Sequence, residues 1–157
     1  MARKGKIEKR KIDADPKYHR MDLAKLINKV MKNGKKTLAQ NIVYRAMDSV
    51  VQKLNVSNPM EIFERAVENA KPHVEVKSRR IGGATYQVPI DIPEDRRSAL
   101  ATKWIVLHAR SKRGKGMMDG LAMEICDCYN NCGLTIKKRD DVHRMAESNR
   151  AFAHYKW

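Results

Sequence analysis

Apolar residues recur with a helical period in the first third of the chain, a few residues after Asp15-Pro16. The first stripe has the spacing i, i+3, i+4, i+7 and i+8, and its members are Leu23, Leu26, Ile27, Val30 and Met31. Such a stripe is typical of one face of an amphipathic helix. Asn33-Gly34 follows it, and glycine suits the left-handed position at which many helices end. This segment is therefore predicted to form the first helix.

Two further helices are predicted before Pro72. The second runs from about Lys36 to Leu54 and turns inward Leu38, Ile42, Val43, Ala46, Met47, Val50, Val51 and Leu54. The third begins with Asn58 as N-cap, Pro59 at the first helical position and Glu61 in the capping-box position. Its stripe is Ile62, Phe63, Ala66, Val67 and Ala70. Proline cannot continue a helix, so Pro72 ends it.

The apolar period changes from 3.6 to 2 at Val74. Val74 and Val76 alternate with charged residues, and a second alternating run after Gly82-Gly83 consists of Tyr86, Val88, Ile90 and Ile92. Two such runs around a glycine pair predict a β-hairpin. Pro89 cannot donate to a ladder, so its strand must be an edge. A lone two-stranded ribbon is only marginally stable unless it packs against helices or a partner.

Three helices are predicted after the hairpin. The first starts near Pro93 and carries Leu100, Trp104, Ile105 and Leu107. The second ends near Gly133 and carries Met118, Leu121, Ala122, Ile125 and Tyr129, and the last begins near residue 138 or 139 and carries Val142, Met145 and Ala146. The expected fold class is mainly α: a single domain of about six helices with one projecting two-stranded β-hairpin at about 74–92.

The net charge of the chain indicates a polyanionic partner. Lys plus Arg number 33 and Asp plus Glu number 18, so the formal net charge is +15. That much like charge destabilises a compact domain by self-repulsion. Nucleic acid is the first candidate partner and an anionic membrane surface the second. No run approaches the roughly 18 apolar residues that cross a bilayer, and no secretory signal follows the basic start, so a cytoplasmic location is expected.

Residues 1–12 are predicted to be a basic arm and residues 13–157 a helical RNA-binding domain. The arm holds six basic residues and too little apolar material to fold alone. Any one basic cluster is explained as well by a solvated face, but six clusters with a net charge of +15 favour nucleic acid, and aromatic residues among them are suited to stack on unpaired bases. The candidate RNA-binding residues are Arg3, Lys4, Lys6, Lys9, Arg10, Lys11, Lys35, Lys36, Lys77, Arg79, Arg80, Tyr86, Arg96, Arg97, Arg110, Lys112, Arg113, Lys115, Lys137, Lys138, Arg139, Tyr155 and Trp157.

The sequence contains no recognisable motif for catalysis, a cofactor or a metal. Gly34-Lys35 lacks the first glycine and the lead-in strand of a phosphate-binding P-loop. Cys126, Cys128 and Cys132 are expected on a helix where only the last two share a face, and no fourth zinc ligand lies at a suitable spacing. We therefore interpret the cysteines as packing residues and expect no enzyme, no cofactor and no bound metal.

Several stretches match one protein family in order and at the expected separations. They include GKKTLA at 34–39, the ribbon VEVKSRRIGGATYQVP at 74–89, and the tail KKRDDVHRMAESNRAFAHYKW at 137–157. On these motifs the chain resembles the bacterial small-subunit ribosomal protein seven family over essentially its whole length. It departs from the family at Leu26, where many members have Phe, and at the three cysteines, where members usually have small residues.

The resemblance implies a function that composition alone does not reach. Members bind the 3′ major domain of the small-subunit ribosomal RNA, nucleate folding of the subunit head, and lie near the exit-site tRNA and the mRNA at the subunit interface. They contact small-subunit ribosomal proteins nine and eleven. By analogy the arm and the loop clusters would hold ribosomal RNA, and the region from Lys77 to Tyr86 would face tRNA. No membrane partner and no homo-oligomer are expected.

Two other classes of protein stay open from the residues alone. Architectural DNA-binding proteins also combine a helical body with a basic ribbon, but they wedge an apolar residue or a proline from the ribbon tip between base steps. Here the tip is Gly82-Gly83, and Pro89 lies toward the base. A nuclease or an RNA-modifying enzyme is the enzymatic alternative, which the lack of a catalytic motif disfavours.

Overall fold

Helices dominate residues 12–155, the part of the chain that the computed structural model describes. In chain order the elements are α1 (Met21–Val30), α2 (Lys36–Leu54), α3 (Pro59–Ala70), β1 (Val74–Ile81), β2 (Ala84–Asp91), α4 (Glu94–Ser111), α5 (Met117–Tyr129), α6 (Gly133–Ser148) and a terminal 3₁₀ helix (Arg150–Tyr155). The predicted mainly α fold with one two-stranded hairpin is confirmed. None of the helices in this range is long and apolar enough to span a membrane.

The apolar stripes of the helices converge on one core. Its fully buried members include Leu23 and Leu26 of α1, Val43 of α2, Ile105 of α4 and Leu121 of α5. Complete burial of a side chain of this size stabilises a fold by roughly 1.5–3 kcal/mol. The five helices that supply most of this core form the helical body, and α6 covers one side of it.

Three apolar residues of the predicted helices, of which Leu38 was predicted to face inward, are exposed to solvent. Leu38, Leu107 and Met145 are 54%, 55% and 50% exposed. A helical period marks every apolar residue on one face of a helix, whereas neighbouring elements cover only part of that face. The margins of a predicted stripe therefore stay exposed where no element packs on them.

The start of α3 forms as its sequence predicts. Asn58 is the N-cap, and its side-chain oxygen accepts a hydrogen bond from the backbone N–H of Met60 at 3.0 Å, with Pro59 in the first helical position. This bond satisfies one of the four N–H groups that the start of a helix leaves without an intrahelical partner. The predicted bounds of α2, Lys36 and Leu54, are also confirmed.

β1 and β2 pair antiparallel from Val74 opposite Asp91 to Ile81 opposite Ala84. The connecting residues Gly82 and Gly83 both have positive φ, 55° and 88°. A two-residue hairpin turn of type I′ requires positive φ at both central positions, which glycine adopts at little cost. The local signal of a glycine pair between two alternating runs therefore identified the hairpin correctly.

The hairpin contacts other elements of the protein both at its base and farther out. Val88 is fully buried and Ile92, just after β2, is 2% exposed, and both strands contact α6. Farther out, the ring of Tyr86 contacts the rings of Phe152 and Tyr155, with centroids 5.2 Å and 5.3 Å apart. The terminal 3₁₀ helix thus braces the ribbon, a role that no local pattern predicted.

The boundary between the last two helices differs from the prediction. α5 ends at Tyr129 rather than near Gly133, and α6 begins at Gly133 rather than at residue 138 or 139. The early start of α6 has a tertiary cause, because the carboxylate of Glu124 in α5 accepts a hydrogen bond from the backbone N–H of Thr135 at 3.0 Å. An N-terminal N–H group that is satisfied from another helix leaves no capping signal in the adjacent sequence.

Candidate nucleic-acid interface

Two basic turns that are far apart in the sequence lie side by side in the structure. The turn between α1 and α2 carries Lys35, with Lys36 opening α2, and the turn between α4 and α5 carries Arg113 and Lys115. All four side chains are exposed. Lys35 and Lys115 line the same groove, so the fold joins two of the predicted clusters into one basic surface.

The groove between these turns, which we call the basic groove, has a volume of about 400 Å³. Its rim consists of Lys32, Lys35, Arg110 and Lys115, and its floor includes Val30, Met31, Leu38, Ile42 and Met117. No described residue that lines the groove is acidic. The exposed Leu38 belongs to this floor. The groove therefore combines positive charge with apolar surface, which suits a partner with an anionic backbone and planar bases.

Arg110 connects the two helices that border the groove. Its guanidinium donates hydrogen bonds to the carbonyls of Lys29 and Val30, at 3.0 Å and 3.2 Å. These carbonyls lie at the C-terminal end of α1, where they lack partners within the helix and where a cation is favoured by the helix dipole. Arg110 therefore fixes the end of α1 against α4 as well as adding charge to the rim.

A second basic group, which the sequence analysis missed as a site, lies along α1 and α4. The ammonium of Lys29 donates a hydrogen bond to the carbonyl of Ala99 in α4. Burial, helped by the charges of Lys103 and Lys25, lowers the pKa of Lys29. Lys103 lies one helical turn beyond Ala99, and Lys25 lies one turn before Lys29. These lysines stand on the polar face of α1 and on α4, a pattern that by itself indicates only a solvated surface.

The predicted ribbon residues do not form a single patch. Side chains alternate between the two faces of a strand, so Arg79 and Arg80 point to opposite faces of the hairpin. Arg79 is half-buried and donates a hydrogen bond to the carbonyl of Tyr155, whereas Arg80 is exposed. Lys77 lies 3.5 Å from the carboxylate of Glu75, which offsets part of its charge.

At the base of the ribbon, Arg96 and Arg97 are engaged within the protein. Arg96 forms a bidentate pair with Glu75, with Nε–Oε1 and Nη2–Oε2 distances of 2.9 Å, and these hydrogen bonds raise the pKa of Arg96. Arg97 donates to the carbonyl of Ile92 at 2.7 Å and lies 3.7 Å from Glu94. Only their remaining N–H groups can bind a further acceptor.

Two other predicted RNA-binding residues are mostly buried and paired internally. The ammonium of Lys112 lies 3.0 Å from Glu124 Oε2 and 2.8 Å from Asp127 Oδ2, and its side chain is 15% exposed. The guanidinium of Arg139 lies 2.7 Å from Asp140 Oδ1, and its side chain is 19% exposed. Because their charges are offset inside the fold, we now expect these two residues to hold the structure rather than to contact RNA.

The remaining candidates are two lysines of α6, two tyrosines at the ribbon and a set of residues outside the described range. Lys137 and Lys138 are exposed on α6, while Tyr86 and Tyr155 are half-buried against each other, which occupies part of each ring. The other candidates lie outside the described residues: Arg3, Lys4, Lys6, Lys9, Arg10, Lys11 and Trp157.

Residues 12–155 contain no group of three or more His, Cys, Asp or Glu that is placed to hold a metal ion. Cys128 is buried, Cys126 half-buried and Cys132 exposed. Cys132 is the N-cap of α6, so the prediction that it shares a helix face with Cys128 is wrong. Burial raises the pKa of Cys128 to about 12, which keeps its thiol protonated near neutral pH.

The chain is similar to known proteins over nearly its whole length. A family model described as "Ribosomal protein S7p/S5e" matches residues 2–150. The small ribosomal subunit protein uS7 of Protochlamydia amoebophila (strain UWE25) is 58% identical over 157 residues, which cover 100% of both chains. Proteins of the same name from Chlamydia trachomatis serovar L2 (strain ATCC VR-902B / DSM 19102 / 434/Bu) and Chlamydia felis (strain Fe/C-56) are 57% and 54% identical, again with 100% coverage of both chains. The matched residues include both basic turns and the ribbon.

Proposed function

The chain belongs to the ribosomal protein S7p/S5e family, and we propose that it binds the 3′ major domain of the small-subunit ribosomal RNA and nucleates folding of the subunit head. Membership makes it a structural, RNA-binding component of the small ribosomal subunit that takes part in translation. The binding site on the RNA and the role in head assembly are the parts that we infer.

The observation that carries this proposal is the meeting of the two basic turns at the basic groove. A rim of four cations on a groove whose described lining includes no carboxylate favours a polyanion. The rim comes from two separate turns and from Arg110 near the end of α4, which the core holds together. Such a surface is suited to RNA phosphates that only a folded RNA brings together.

The mechanism is neutralisation of charge combined with capture of one RNA shape. Helices that meet at an RNA junction repel each other and sample several arrangements. A rigid basic surface that fits one arrangement binds it more tightly than the others and so raises its population. This role needs no covalent step, and we propose that the protein is not an enzyme.

The ribbon serves a different ligand in this proposal. We infer that it lies near the exit-site tRNA and the mRNA, with Arg80 on the open face of the hairpin. Small-subunit ribosomal proteins nine and eleven are the proposed protein neighbours. The ribbon is supported by Val88 at its base and by the terminal 3₁₀ helix, so it extends the surface of the protein without carrying much of its core.

Binding to RNA and to DNA separates the proposal from the architectural DNA-binding alternative. The pure protein should bind a transcript of the 3′ major domain more tightly than duplex DNA of equal length, across a series of salt concentrations. A fall of affinity with salt on both ligands would reflect phosphate contacts in general. Equal affinity for the two at every salt concentration would contradict recognition of folded RNA.

Two lysines at opposite ends of α2 offer a matched test of the basic groove. Lys36 opens α2 beside the groove, and Lys53 lies about 26 Å farther along at about 1.5 Å per residue. We expect Lys36→Ala to weaken binding to the transcript and to lower the salt slope by about one unit. Lys53→Ala, which removes the same charge, should change neither quantity.

The basic arm gives a further test of the RNA-binding domain. Deletion of residues 1–12 should lower the salt slope by roughly 3 to 4 units if about four arm residues contact phosphates. Circular dichroism and thermal unfolding should show that the rest of the chain stays folded. An unchanged slope and affinity would mean that the arm only increases solubility.

A further inference from the structure

We propose that Glu124 is a positioning residue that holds two separate basic segments at a fixed spacing for RNA. The segments are the turn at residues 113–115 and the part of α6 that carries Lys137 and Lys138. The inference rests on the proposed function, because the spacing matters only if both segments contact the same RNA. Glu124 itself does not contact RNA, since its side chain is completely buried.

Glu124 occupies an unusual position for a carboxylate. It lies on the apolar stripe of α5 together with Leu121, Ile125 and Cys128, and none of these residues is exposed. A buried carboxylate is strongly destabilising unless hydrogen bonds and a counter-charge offset the loss of water. A residue of the same volume without polar atoms would pack at this site without needing such partners. The partners of Glu124 therefore show what the carboxylate contributes.

One oxygen of Glu124 organises the start of α6. Oε1 accepts hydrogen bonds from the backbone N–H of Thr135 at 3.0 Å and from its hydroxyl at 2.7 Å. A hydroxyl has one proton to donate. His108 Nδ1, which lies 2.9 Å from the same hydroxyl, must therefore be the donor in that contact. This chain of hydrogen bonds fixes the first turn of α6 against both α5 and α4.

The other oxygen of Glu124 faces the end of α4. Oε2 lies 3.0 Å from the ammonium of Lys112, and no correctly oriented hydrogen-bond donor reaches it from the described residues. Burial disfavours the charge on Lys112, but the carboxylates of Asp127 and Glu124 outweigh it and raise its pKa. The link is therefore mainly one of opposite charges. It holds the C-cap of α4, where the basic turn begins.

A single carboxylate thus joins three helices at the points where the basic segments start. Lys112 immediately precedes Arg113, and Thr135 precedes Lys137 by two residues. The predicted RNA ligands on both segments are exposed, whereas Lys112 and Thr135 are not. The sequence analysis assigned Lys112 to RNA. We infer instead that Lys112 anchors its exposed neighbours.

The test replaces Glu124 by glutamine, which keeps its shape and removes its charge. The matched control is Val50→Ala in α2, a fully buried position that should lower the melting temperature without altering the junction of α4, α5 and α6. Thr135→Val is a second, milder variant that removes only the hydroxyl, in case Glu124→Gln does not fold. Each folded variant is measured below its melting temperature against the 3′ major domain transcript and against poly(U), together with hydrogen exchange of its backbone amides.

We expect Glu124→Gln to weaken binding to the transcript by about tenfold, because oriented contacts are lost when their support is about 1 Å too loose. Binding to poly(U) should change by less than about twofold, since it depends on the number of charges rather than on their spacing. The amides of residues 113–116 and 133–138 should exchange faster in Glu124→Gln than in the wild-type protein. Thr135→Val should show a smaller increase at the same amides. Val50→Ala should leave the affinity for the transcript unchanged.

Equal losses of affinity in Glu124→Gln and Val50→Ala would overturn the proposal, because they would show an effect of stability alone. Equal weakening on the transcript and on poly(U) would overturn it as well. If the wild-type protein did not prefer the transcript, the proposed function would fail. The hydrogen-exchange comparison would still decide whether Glu124 fixes the two segments, since unchanged exchange at both would contradict its positioning role.

Discussion

The helical body and the β-ribbon of this protein are stabilised by different means. In the body, apolar side chains from five helices meet, and Leu23, Val43 and Ile105 are completely buried. In the described hairpin, Val88 is the only buried strand residue. The outer part of the ribbon depends instead on the contacts between Tyr86 and the terminal 3₁₀ helix.

This contrast indicates where residues can be changed without loss of the fold. Hydrophobic burial is the main stabilising contribution to a domain of this size, and nearly all of it lies in the body. The basic groove is built on that rigid core, as a surface for a folded RNA requires. The ribbon is a surface extension whose residues can be altered while the body stays folded.

The largest effect is expected at Gly120, where α5 lies close to the backbone of α4. A Cβ atom at Gly120 would lie 2.5 Å from the carbonyl oxygen of Ala109. We expect Gly120→Ala to lower the free energy of unfolding by about 1–2 kcal/mol, because the clash with backbone exceeds the gain in helix propensity. Urea denaturation measures this quantity.

Gly116→Ala is the matched control for Gly120→Ala. At Gly116 the nearest atom to a new Cβ is Asp119 Oδ2, 3.9 Å away, so the change should cost only about 0.5 kcal/mol through the N-cap preference. Equal stability of the two variants would show that α4 and α5 can separate without penalty, contrary to a rigid body.

An intermediate effect is expected at the contact between the ribbon and the terminal 3₁₀ helix. Tyr86→Ala and Phe152→Ala should be coupled by about 0.5–1.5 kcal/mol in a double-mutant cycle on the free energy of local opening of the hairpin. We expect the loss to appear as faster hydrogen exchange in β1 and β2, with little change in global unfolding. A global destabilisation as large as that of Gly120→Ala would erase the distinction between body and ribbon.

The smallest effect concerns the pH dependence of the ribbon base. His143 Nε2 in α6 accepts a hydrogen bond from the backbone N–H of His73 at 3.0 Å, and the two rings stack with centroids 5.7 Å apart. Burial, with the charges of His73 and Arg139, lowers the pKa of His143 below its ordinary value of 6.5. The unfolded chain therefore binds a proton first as the pH falls, so the free energy of unfolding should decrease through about pH 6.5 and then level off.

The pH effect is tested by replacing His143. His143→Gln should reduce the decrease in the free energy of unfolding between pH 8 and the weakly acidic range. Burial also lowers the pKa of His108, so part of the decrease should remain in this variant. A profile that is unchanged in His143→Gln would mean that other groups cause the acid sensitivity.

Features with a local cause were predictable from the sequence. The bounds of α2, the Asn58 cap and the Gly82-Gly83 turn each follow from neighbouring residues. The start of α6 was missed because its N–H group is satisfied by Glu124, which lies on another helix. A signal for Glu124 did exist, since it is a carboxylate in the middle of an apolar stripe.

The candidate site was predictable in its composition but not in its geometry. The charge of the chain marked the turns around Lys35 and Lys115 as candidates, but their meeting at one groove depends on the packing of the helices. Conversely, Lys112 and Arg139 looked like surface charges. Whether a cation is free or paired depends on carboxylates that only the fold brings close.

We propose that the basic groove binds ribosomal RNA and that the ribbon lies near the exit-site tRNA. Removal of the outer ribbon from the protein tests this separation of roles. A protein in which a short turn replaces residues 77–87 is incorporated into reconstituted small subunits, and both head assembly and exit-site tRNA occupancy are measured. We expect the head to assemble, because the basic groove and the helical body are intact, and tRNA occupancy to fall. Failed head assembly with a truncated protein that is folded in isolation would show that the ribbon is a primary ribosomal RNA anchor and would contradict the account.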